Sequence, residues 1–356
     1  MKKKKILLFL GSGCGGSERM TVKIGLSLDI NHFDPTFVIV SHTKKADIES
    51  FIPSQFDRRY IYSENSHDRM WGQFISTLRF YNPDVIFSSA FSICCRLIVT
   101  NILSVRTKVV LRCNTTLYNL KKDRKWYYMG KLTFRLADYV VAQTESMRAD
   151  LIKNMSIAST KVVTIHNPID KETVDKLLSQ SSPYSVHENW IKFITVARVS
   201  AEKDLLTMIR AFNEVVKKGI NAHLYIVGDD YTNKDYKDSL LNFVFSARIN
   251  DVIHFVGMKK NPYVWIKYAD CFLLSSPSEG LPNALIEASY IGKPLVTTDC
   301  VSIVHQIVED GQNGYIVPVS DHMAMAEAMI KAVKIKDPQM IYKSGEFEDF
   351  AKLFNN

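Results

Sequence analysis

Short apolar runs alternate with amphipathic helical patterns along nearly the whole chain, and this alternation restricts the possible fold more than any other feature. Each run is short enough to be a buried strand, and the segments between the runs repeat apolar residues at helical spacing. Strands that alternate with helices form parallel sheets covered by helices on both faces. The sequence therefore predicts an α/β fold built from doubly wound parallel sheets. The runs lie at residues 6–10, 37–40, 85–88, 109–112, 162–165, 193–196, 224–227 and 271–274.

Length and a polar break divide the chain into two predicted domains and a tail. A chain of 356 residues is long enough to form two separate cores. Between residues 171 and 189 the sequence is polar and rich in serine and lysine, and the next strand pattern begins at Ile191. We therefore predict one Rossmann-like domain over residues 1–170, a second over 171–340, and a C-terminal helix over 341–356 that returns toward the first domain.

Two glutamates, Glu279 and Glu287, have seven residues between them and surround a predicted helix start. Pro282 fits the first helical position, where a missing N–H is harmless. Free N–H groups at Asn283 and Ala284 would suit a diphosphate, and the carboxylates would suit the hydroxyls of a ribose or a sugar. Together these features indicate a site for a sugar nucleotide. Taken alone, each glutamate could equally be an exposed surface acid.

A second loop, between the run at 193–196 and an amphipathic helix, carries Arg198 and Lys203. A guanidinium fork and a mobile ammonium at a strand-to-helix loop can hold the two phosphates of a leaving group. The alternative for such a pair, considered alone, is two ordinary solvated cations. We predict that Arg198 and Lys203 bind the diphosphate.

Nine motifs along the chain occur in a recognisable order. In the second half they are V-A-R-V-S-A-E-K-D-L at 196–205, L-Y-I-V-G-D-D at 224–230, V-I-H-F-V-G at 252–257, A-D-C-F-L-L-S-S-P-S-E-G-L-P-N-A-L-I-E-A at 269–288, G-K-P-L-V-T-T-D at 292–299 and G-Q-N-G-Y-I-V-P at 311–318. In the first half they are G-G-S-E-R at 15–19, Y-V-V-A-Q-T-E-S-M at 139–147 and V-V-T-I-H-N-P-I-D at 162–170. With these motifs the chain resembles the retaining GT-B glycosyltransferases of the bacterial glycosyl transferases group 1 family, of the family 4 type.

The resemblance implies a GT-B architecture, in which two Rossmann-like domains face a cleft. It also implies transfer of a sugar from a nucleotide donor, which we expect to be UDP-linked, to a hydroxyl of a glycan or polyprenyl-linked acceptor, with retention at the anomeric carbon. Capsule and lipopolysaccharide synthesis are the expected settings. The predicted catalytic residues are Glu279, Arg198 and Lys203, and the predicted donor-binding residues are Gly15, Gly16, Gly257, Met258, Gly280, Leu281, Pro282, Asn283, Ala284 and Glu287.

One departure from the family's pattern concerns the acceptor side. Many members carry a histidine after the strand that corresponds to 109–111, whereas this chain has R-C-N-T-T at 112–116. Either Arg112 and Asn114 take over part of its positioning role, or the acceptor geometry differs. Arg112 and Asn114 are therefore the acceptor-side candidates. No cofactor is predicted, and no metal, because Asp229 and Asp230 stand where the family has a glycine-bounded turn.

The charge is unevenly divided between the two halves. Residues 1–170 contain 25 Lys+Arg and 14 Asp+Glu, whereas residues 171–356 contain 20 and 23. We predict that the basic half meets an anionic membrane surface as a peripheral protein at the inner face of the cytoplasmic membrane. A solvated helix face and nucleic-acid binding are the alternatives, the latter without a reader motif. The densest patch comprises Lys121, Lys122, Arg124, Lys125, Trp126, Tyr127, Tyr128, Lys131 and Arg135.

Two other functions have some support in the sequence, and the cysteines indicate the compartment. Gly11, Gly13 and Gly16 match a dinucleotide fingerprint, but the next predicted strand ends in Ser41 and His42 rather than in the acid that binds a ribose. The six cysteines show no metal-ligand spacing and indicate free thiols in a reducing compartment. A catalytically silent binding subunit of another transferase is the alternative to an enzyme, and the presence of all four predicted site charges opposes it.

Overall fold

A computed structural model describes residues 2–13, 15–43, 46–63, 70–114, 124–184, 190–229 and 234–355. The chain divides into two compact units. The first unit contains Met1–Ile169 together with Ser344–Asn356, and the second contains Asp170–Lys343. Each unit is a parallel sheet with helices against it, so the predicted fold class, two Rossmann-like α/β domains, is confirmed.

The first unit is a seven-stranded parallel sheet in the order β3-β2-β1-β4-β5-β6-β7. Its strands are β1 (Lys4–Gly11), β2 (Phe33–Ser41), β3 (Asp57–Tyr62), β4 (Val85–Ser88), β5 (Lys108–Arg112), β6 (Tyr139–Ala142) and β7 (Val162–Thr164). Its helices include α1 (Gly16–Leu26), α2 (Met70–Tyr81), α3 (Phe91–Leu103), α4 (Arg124–Leu136) and α5 (Glu145–Met155).

Both faces of this sheet are buried because successive side chains of a strand point to opposite faces. In β1, Leu7 and Phe9 join a core beneath α2, α3 and α4, whereas Ile6, Leu8 and Leu10 join a second core with α1. A continuous apolar strand is the expected result, and β1 has that sequence.

The last helix of the chain completes the second of these cores. Helix α13 (Phe347–Asn355) places Phe350 and Phe354 edge-on against Phe87, with ring centroids 6.0 and 5.6 Å apart. Two lysines bind its final carbonyls: Lys4 Nζ donates to Asn355 O at 2.7 Å, and Lys108 Nζ donates to Leu353 O at 2.6 Å. Cations at a helix C-terminus are favourable because they meet the negative end of the helix dipole. The lysine-rich start of the chain therefore has a structural role in the first unit.

The second unit is a six-stranded parallel sheet in the order β10-β9-β8-β11-β12-β13. Its strands are β8 (Ile191–Val196), β9 (Ala222–Val227), β10 (Ile253–Gly257), β11 (Cys271–Leu274), β12 (Leu295–Thr298) and β13 (Gly314–Val317). The helices described here are α6 (Lys171–Leu178), α7 (Leu205–Lys217), α8 (Lys234–Ser246), α9 (Tyr263–Lys267), α10 (Asn283–Tyr290), α11 (Val304–Ile307) and α12 (His322–Ala332).

Within the described ranges, no helix has the length and apolar character needed to cross a membrane. The same residues contain no group of three or more His, Cys, Asp or Glu placed to hold a metal ion. Of the six cysteines, Cys94, Cys95, Cys113, Cys271 and Cys300 are free thiols, and Cys14 lies outside the described residues.

Candidate active site

The strand order of the second sheet reverses between β8 and β11, and the loops that leave these two strands carry the main site residues. In open parallel sheets, ligands bind at the carboxyl ends of the strands at such a reversal, because the two outgoing loops diverge and leave a crevice. The loop after β8 leads to Lys203, and the loop after β11 leads to Glu279. The topology thus brings together two residues that are 76 positions apart in the sequence.

Lys203 and Glu279 form an ion pair in which Lys203 Nζ lies 2.5 Å from Glu279 Oε1. Their side chains are only 22% and 13% exposed, so water screens the pair weakly. Ser276 Oγ also donates to Glu279 Oε1, at 2.7 Å. The sequence predicted both charged residues but assigned them to different parts of the ligand, whereas the structure places them in direct contact.

The backbone around the pair is fixed by local capping and by neighbouring loops. Asp204, with φ of +43°, caps α7 by accepting the Thr207 N–H at 3.3 Å, so the chain turns sharply directly after Lys203. Ser275 Oγ donates to the Lys203 carbonyl at 2.8 Å and joins the two loops. The pair therefore sits on rigid supports rather than on a free loop.

Cys300, in the loop after β12, lies beside this pair and was not predicted as a site residue. Burial, together with the nearby Glu279 carboxylate, raises the pKa of its thiol to about 12. The thiol is therefore neutral at physiological pH and presents a small, weakly polar wall rather than a nucleophile. No motif in the sequence indicates this position.

Arg198 has a different environment from the one predicted. Its Nη2 lies 3.2 Å from Oε2 of Glu202, four residues further along the same loop, and its side chain is 68% exposed. An exposed pair of this kind contributes little to stability, so the guanidinium can exchange Glu202 for another anion at small cost. Arg198 is thus paired with Glu202, and among the described hydrogen bonds none joins it to Lys203 or Glu279.

The start of α10 differs from the prediction by one residue. Pro282 is the N-cap and Asn283 is the first helical residue, so the proline stands just before the helix. The Asn283 N–H is not free, because it donates to the Leu281 carbonyl at 3.0 Å. Gly280 and Ala284 are partly exposed on either side of the buried Leu281 and Pro282. This helix start therefore has fewer free N–H groups than predicted, because that of Asn283 is already bonded.

Glu287 lies inside α10, where its Oε1 accepts a hydrogen bond from the hydroxyl of Tyr263 at 3.1 Å. Tyr263 begins α9 and is almost fully buried, with 8% exposure. Asn261 Oδ1 accepts the Tyr263 N–H at 3.1 Å. No sequence motif includes Tyr263, so its contact with Glu287 was not predicted.

The loops after β9 and β10 meet next to this region. Gly228 N–H donates to the Gly257 carbonyl at 3.0 Å. Gly228 has φ of +141°, and a Cβ there would lie 2.0 Å from the Ala197 carbonyl oxygen, so only glycine fits. Gly257 also has a positive φ, +70°, and Met258 after it is exposed. The predicted donor-binding residues Gly257 and Met258 therefore lie in a loop that a hydrogen bond joins to the loop after β9.

The first unit has its own strand-order reversal, between β1 and β4. Gly15 caps α1 and Gly16 begins it, both exposed, so a predicted glycine loop lies at the reversal. Ser17 Oγ accepts a hydrogen bond from Asn114 Nδ2 at 2.5 Å and lies 3.0 Å from Ser89 Oγ. These contacts join the loops after β1, β4 and β5 in one polar cluster. Asn114 is thus placed at the carboxyl edge of the sheet, as expected for an acceptor-side candidate.

Arg112, the other acceptor-side candidate, lies deeper than a ligand-binding side chain normally would. It is 2% exposed, and its guanidinium donates to Asn167 Oδ1. Within the part of the chain that the structure describes, its Nε and Nη1 have no hydrogen-bond partner. Burial lowers the pKa of this guanidinium to about 10, so it remains charged at neutral pH. The structure therefore assigns it a structural contact with Asn167, and Thr115 and Thr116 beyond it lie outside the described residues.

Known proteins match both units. A family model described as Glycosyl transferases group 1 matches residues 179–346, and one described as Glycosyltransferase Family 4 matches residues 14–173. The architecture and these matches define a glycosyltransferase of the GT-B class. Within that class, the chain belongs to the group 1 glycosyltransferases of the family 4 type.

Two curated relatives and one solved structure illustrate the similarity. A Campylobacter jejuni N-acetylgalactosamine-N,N'-diacetylbacillosaminyl-diphospho-undecaprenol 4-alpha-N-acetylgalactosaminyltransferase is 23% identical over 61% of this chain and 56% of the relative. The capsular polysaccharide biosynthesis glycosyltransferase CapM of Staphylococcus aureus is 23% identical over 58% of this chain and 55% of the relative. The chain thus aligns with little more than half the length of these relatives. The crystal structure of Anabaena HepE in complex with UDP and glucose covers 100% of both chains with a TM-score of 0.82 at 15% identity, and this shows the fold.

Proposed function

We propose that this chain is a retaining glycosyltransferase that moves a hexosyl or N-acetylhexosaminyl group from a UDP-sugar to a hydroxyl of a glycan or polyprenyl-linked acceptor in bacterial surface polysaccharide synthesis. The observation that carries this proposal is the Lys203–Glu279 pair, 2.5 Å apart and largely buried, at the strand-order reversal of the second sheet. A paired cation and anion at such a crevice fit a donor that has both phosphates and hydroxyls.

The pair supports the following mechanism. The Lys203 ammonium binds the diphosphate, and the Glu279 carboxylate accepts hydrogen bonds from hydroxyls of the transferred sugar. As the glycosidic bond breaks, negative charge grows on the diphosphate, and a cation already in place stabilises that charge without reorganisation. Arg198 can add a second cation by exchanging Glu202 for a phosphate. The acceptor hydroxyl attacks the anomeric carbon from the face that the diphosphate leaves and passes its proton to the departing diphosphate oxygen, which gives retention.

Named relatives support the choice of substrates. The HepE structure holds UDP and glucose, and the Campylobacter relative is named for an acceptor linked through diphosphate to undecaprenol. Glu287 is the carboxylate we assign to the ribose, and the loop around Gly257 and Met258 is the one we assign to the base. Each assignment is a proposal about this chain.

Thermal stabilisation by a panel of nucleotides and nucleotide sugars tests the donor. A ligand at a hundred times its Kd raises the free energy of unfolding by about 2.7 kcal/mol, which for a domain of this size is a Tm increase of about 5 to 10 °C. UDP and one UDP-sugar should give this increase, whereas ADP and GDP should not. Equal stabilisation by GDP would contradict the uridine assignment.

Site variants then test the roles of the two glutamates. Glu279→Gln should lower kcat by on the order of a hundredfold with little change in UDP affinity, and Glu287→Gln should weaken UDP binding. Lys217→Ala removes an exposed ion pair with Glu214 on α7 and serves as the matched control. If the wild-type chain binds a UDP-sugar but neither hydrolyses nor transfers it with any acceptor fraction, the silent binding subunit is the correct function.

We also propose that the first unit rests on an anionic membrane surface through its α2–α3–α4 helical layer. These three neighbouring helices contain 38 residues with six Lys or Arg and no Asp or Glu. They also carry eight of the eighteen large apolar side chains that are exposed in the described part of the chain. The eight are Phe80, Val99, Ile102, Leu103, Trp126, Tyr128, Leu132 and Leu136.

Basic and apolar groups on one surface favour an anionic bilayer over the other possible partners. Cations attract the headgroups, each contributing about 1 kcal/mol near the surface, while apolar and aromatic side chains enter the interface. On α4, Tyr128 and Leu132 are exposed between the exposed cations Lys125 and Arg135. Lys121 and Lys122, which belong to the predicted patch, lie outside the described residues.

Vesicle sedimentation tests this surface. Replacing Arg124, Lys125, Lys131 and Arg135 with Gln removes about 4 kcal/mol at low salt, so binding to vesicles of phosphatidylethanolamine and phosphatidylglycerol should fall by up to roughly a thousandfold. Vesicles of phosphatidylcholine alone should bind neither protein. UDP affinity should not change.

A second variant separates the apolar contribution from the charge. Leu103→Ser with Leu132→Ser should weaken binding at all salt concentrations, whereas Leu241→Ser with Phe245→Ser, on the exposed face of α8 in the second unit, should not. If both charge and apolar variants sediment like the parent, the layer is a solvated surface. Salt-sensitive binding of RNA rather than vesicles would assign it to nucleic acid.

A further inference from the structure

Glu287 is held by a buried phenol, and this contact is the basis of the inference. The Tyr263 hydroxyl donates to Glu287 Oε1 at 3.1 Å from the neighbouring helix α9. A glutamate on a helix surface otherwise has three rotatable bonds and loses rotamer freedom when a ligand orders it. A hydrogen bond from an almost fully buried donor limits that freedom before the ligand arrives.

The phenol is itself fixed from two sides. Tyr263 is buried, and Asn261 Oδ1 accepts its N–H at 3.1 Å. The Asn261 amide donates in turn to the Leu177 carbonyl and to Gln180 Oε1, both at 2.9 Å, next to α6. Lys267 Nζ, at the other end of α9, donates to the Leu178 carbonyl at 2.8 Å. Helix α9 is thus attached to α6 at both of its ends, so the position of the Tyr263 hydroxyl is determined by packing.

From this geometry we infer that Tyr263 is a positioning residue for the nucleotide, acting through Glu287 and anchored by Asn261. A carboxylate has about four lone-pair directions, so one hydrogen bond from the phenol is compatible with hydroxyls of the ribose at the same group. The inference rests on the proposed function, in which Glu287 meets the ribose. It adds a residue that lies in no recognised motif and that touches Glu287 rather than the ligand.

Tyr263→Phe tests the inference with minimal disturbance, because only the hydroxyl is lost. UDP affinity measured by titration calorimetry should fall about three- to tenfold, because UDP must then order the Glu287 side chain that the phenol no longer holds. At saturating donor, kcat should not change, because the ribose is bound equally in the ground state and the transition state. A merely structural role would lower the Tm without ligand and leave the Kd unaffected.

Tyr290→Phe is the matched control. Its hydroxyl donates to both oxygens of Asp175 at 3.0 Å, so the control also removes a phenol–carboxylate bond between α10 and α6. UDP affinity should be unchanged in this variant. An equal loss in both variants would mean that the attachment of α6, rather than the orientation of Glu287, governs binding, and the inference would be overturned.

A double-mutant cycle separates failure of the inference from failure of the proposed function. Glu287→Ala should weaken UDP binding, and Tyr263→Phe added to it should have less than about a twofold further effect, because there is no carboxylate left to position. 2′,3′-Dideoxyuridine diphosphate, which lacks the ribose hydroxyls, should bind wild type and Tyr263→Phe equally. If Glu287→Ala weakens binding while Tyr263→Phe does not, only the inference is wrong. If Glu287→Ala leaves UDP affinity intact, the ribose assignment and the inference both fail.

Discussion

Replacing Lys203 with alanine is expected to destabilise the second unit even when no ligand is present. The substitution leaves Glu279, only 13% exposed, without its charged partner. Breaking a fully buried ion pair in this way costs about 3–5 kcal/mol. Here Ser276 still donates to the carboxylate and some water reaches it, so we expect about 1–3 kcal/mol. For a domain of this length that corresponds to a Tm decrease of about 2 to 12 °C.

Differential scanning calorimetry of the protein without nucleotide measures this effect as a decrease in Tm. Glu279→Gln should cost less than Lys203→Ala, since the amide can still accept from Ser276 and Lys203. The double variant Lys203→Ala with Glu279→Gln should be more stable than the sum of the single effects, because no unpaired charge remains. Lys217→Ala, which breaks an exposed pair, should change stability by less than about 1 kcal/mol. Equal melting of Lys203→Ala and Lys217→Ala would refute the reasoning.

Three further outcomes are expected. Transfer activity should survive EDTA, because Lys203 supplies the positive charge to the diphosphate; loss that Mn²⁺ restores would contradict this mechanism. Burial lowers the pKa of His166 in the folded chain, so below about pH 6.5 the unfolded chain takes up this proton more readily than the folded chain does. The free energy of unfolding therefore decreases as the pH falls through this range. The Tm of His166→Gln should consequently fall less than that of the wild type between about pH 7.5 and about pH 5.5, as melting curves at both pH values will show. Phe354→Ala should destabilise the first unit by about 3–5 kcal/mol, seen as a lower urea midpoint, and a midpoint like that of wild type would mean that α13 is not part of its core.

The sheet interiors could be predicted from the sequence because strands buried on both faces must be continuously apolar. The runs at 85–88 and 271–274 coincide with β4 and β11. Each of the other runs differs from its observed strand by one to four residues at one or both ends. Strands β6, β10, β12 and β13 lie in the recognised motifs but not among these runs. Strand β3 lies in neither and was missed for the same physical reason. Asp57–Tyr62 is an edge strand with most side chains partly or fully exposed, so its sequence needs no apolar run.

The site was predictable to the extent that its residues lie in motifs. Glu279 and Lys203 were identified from the loops that carry them, but their contact depends on β8 pairing with β11, which local sequence cannot specify. The exposed pair of Arg198 and Glu202 joins two residues of one loop, where no α-helical spacing predicts the contact. Tyr263 and Cys300 could not be predicted, because each reaches the site from a different loop through tertiary packing alone.

The packing of α13 against the first unit affects the order in which that unit can fold during synthesis. The first unit cannot bury Phe87 against Phe350 and Phe354 until α13 has left the ribosome. The whole second unit, Asp170–Lys343, is translated in between. At about 5–20 residues per second, roughly 10 to 35 seconds separate the two parts of one core. During that interval the nascent first unit lacks the apolar side chains that α13 packs against Phe87, so truncated chains should be preferred targets of chaperones and proteases.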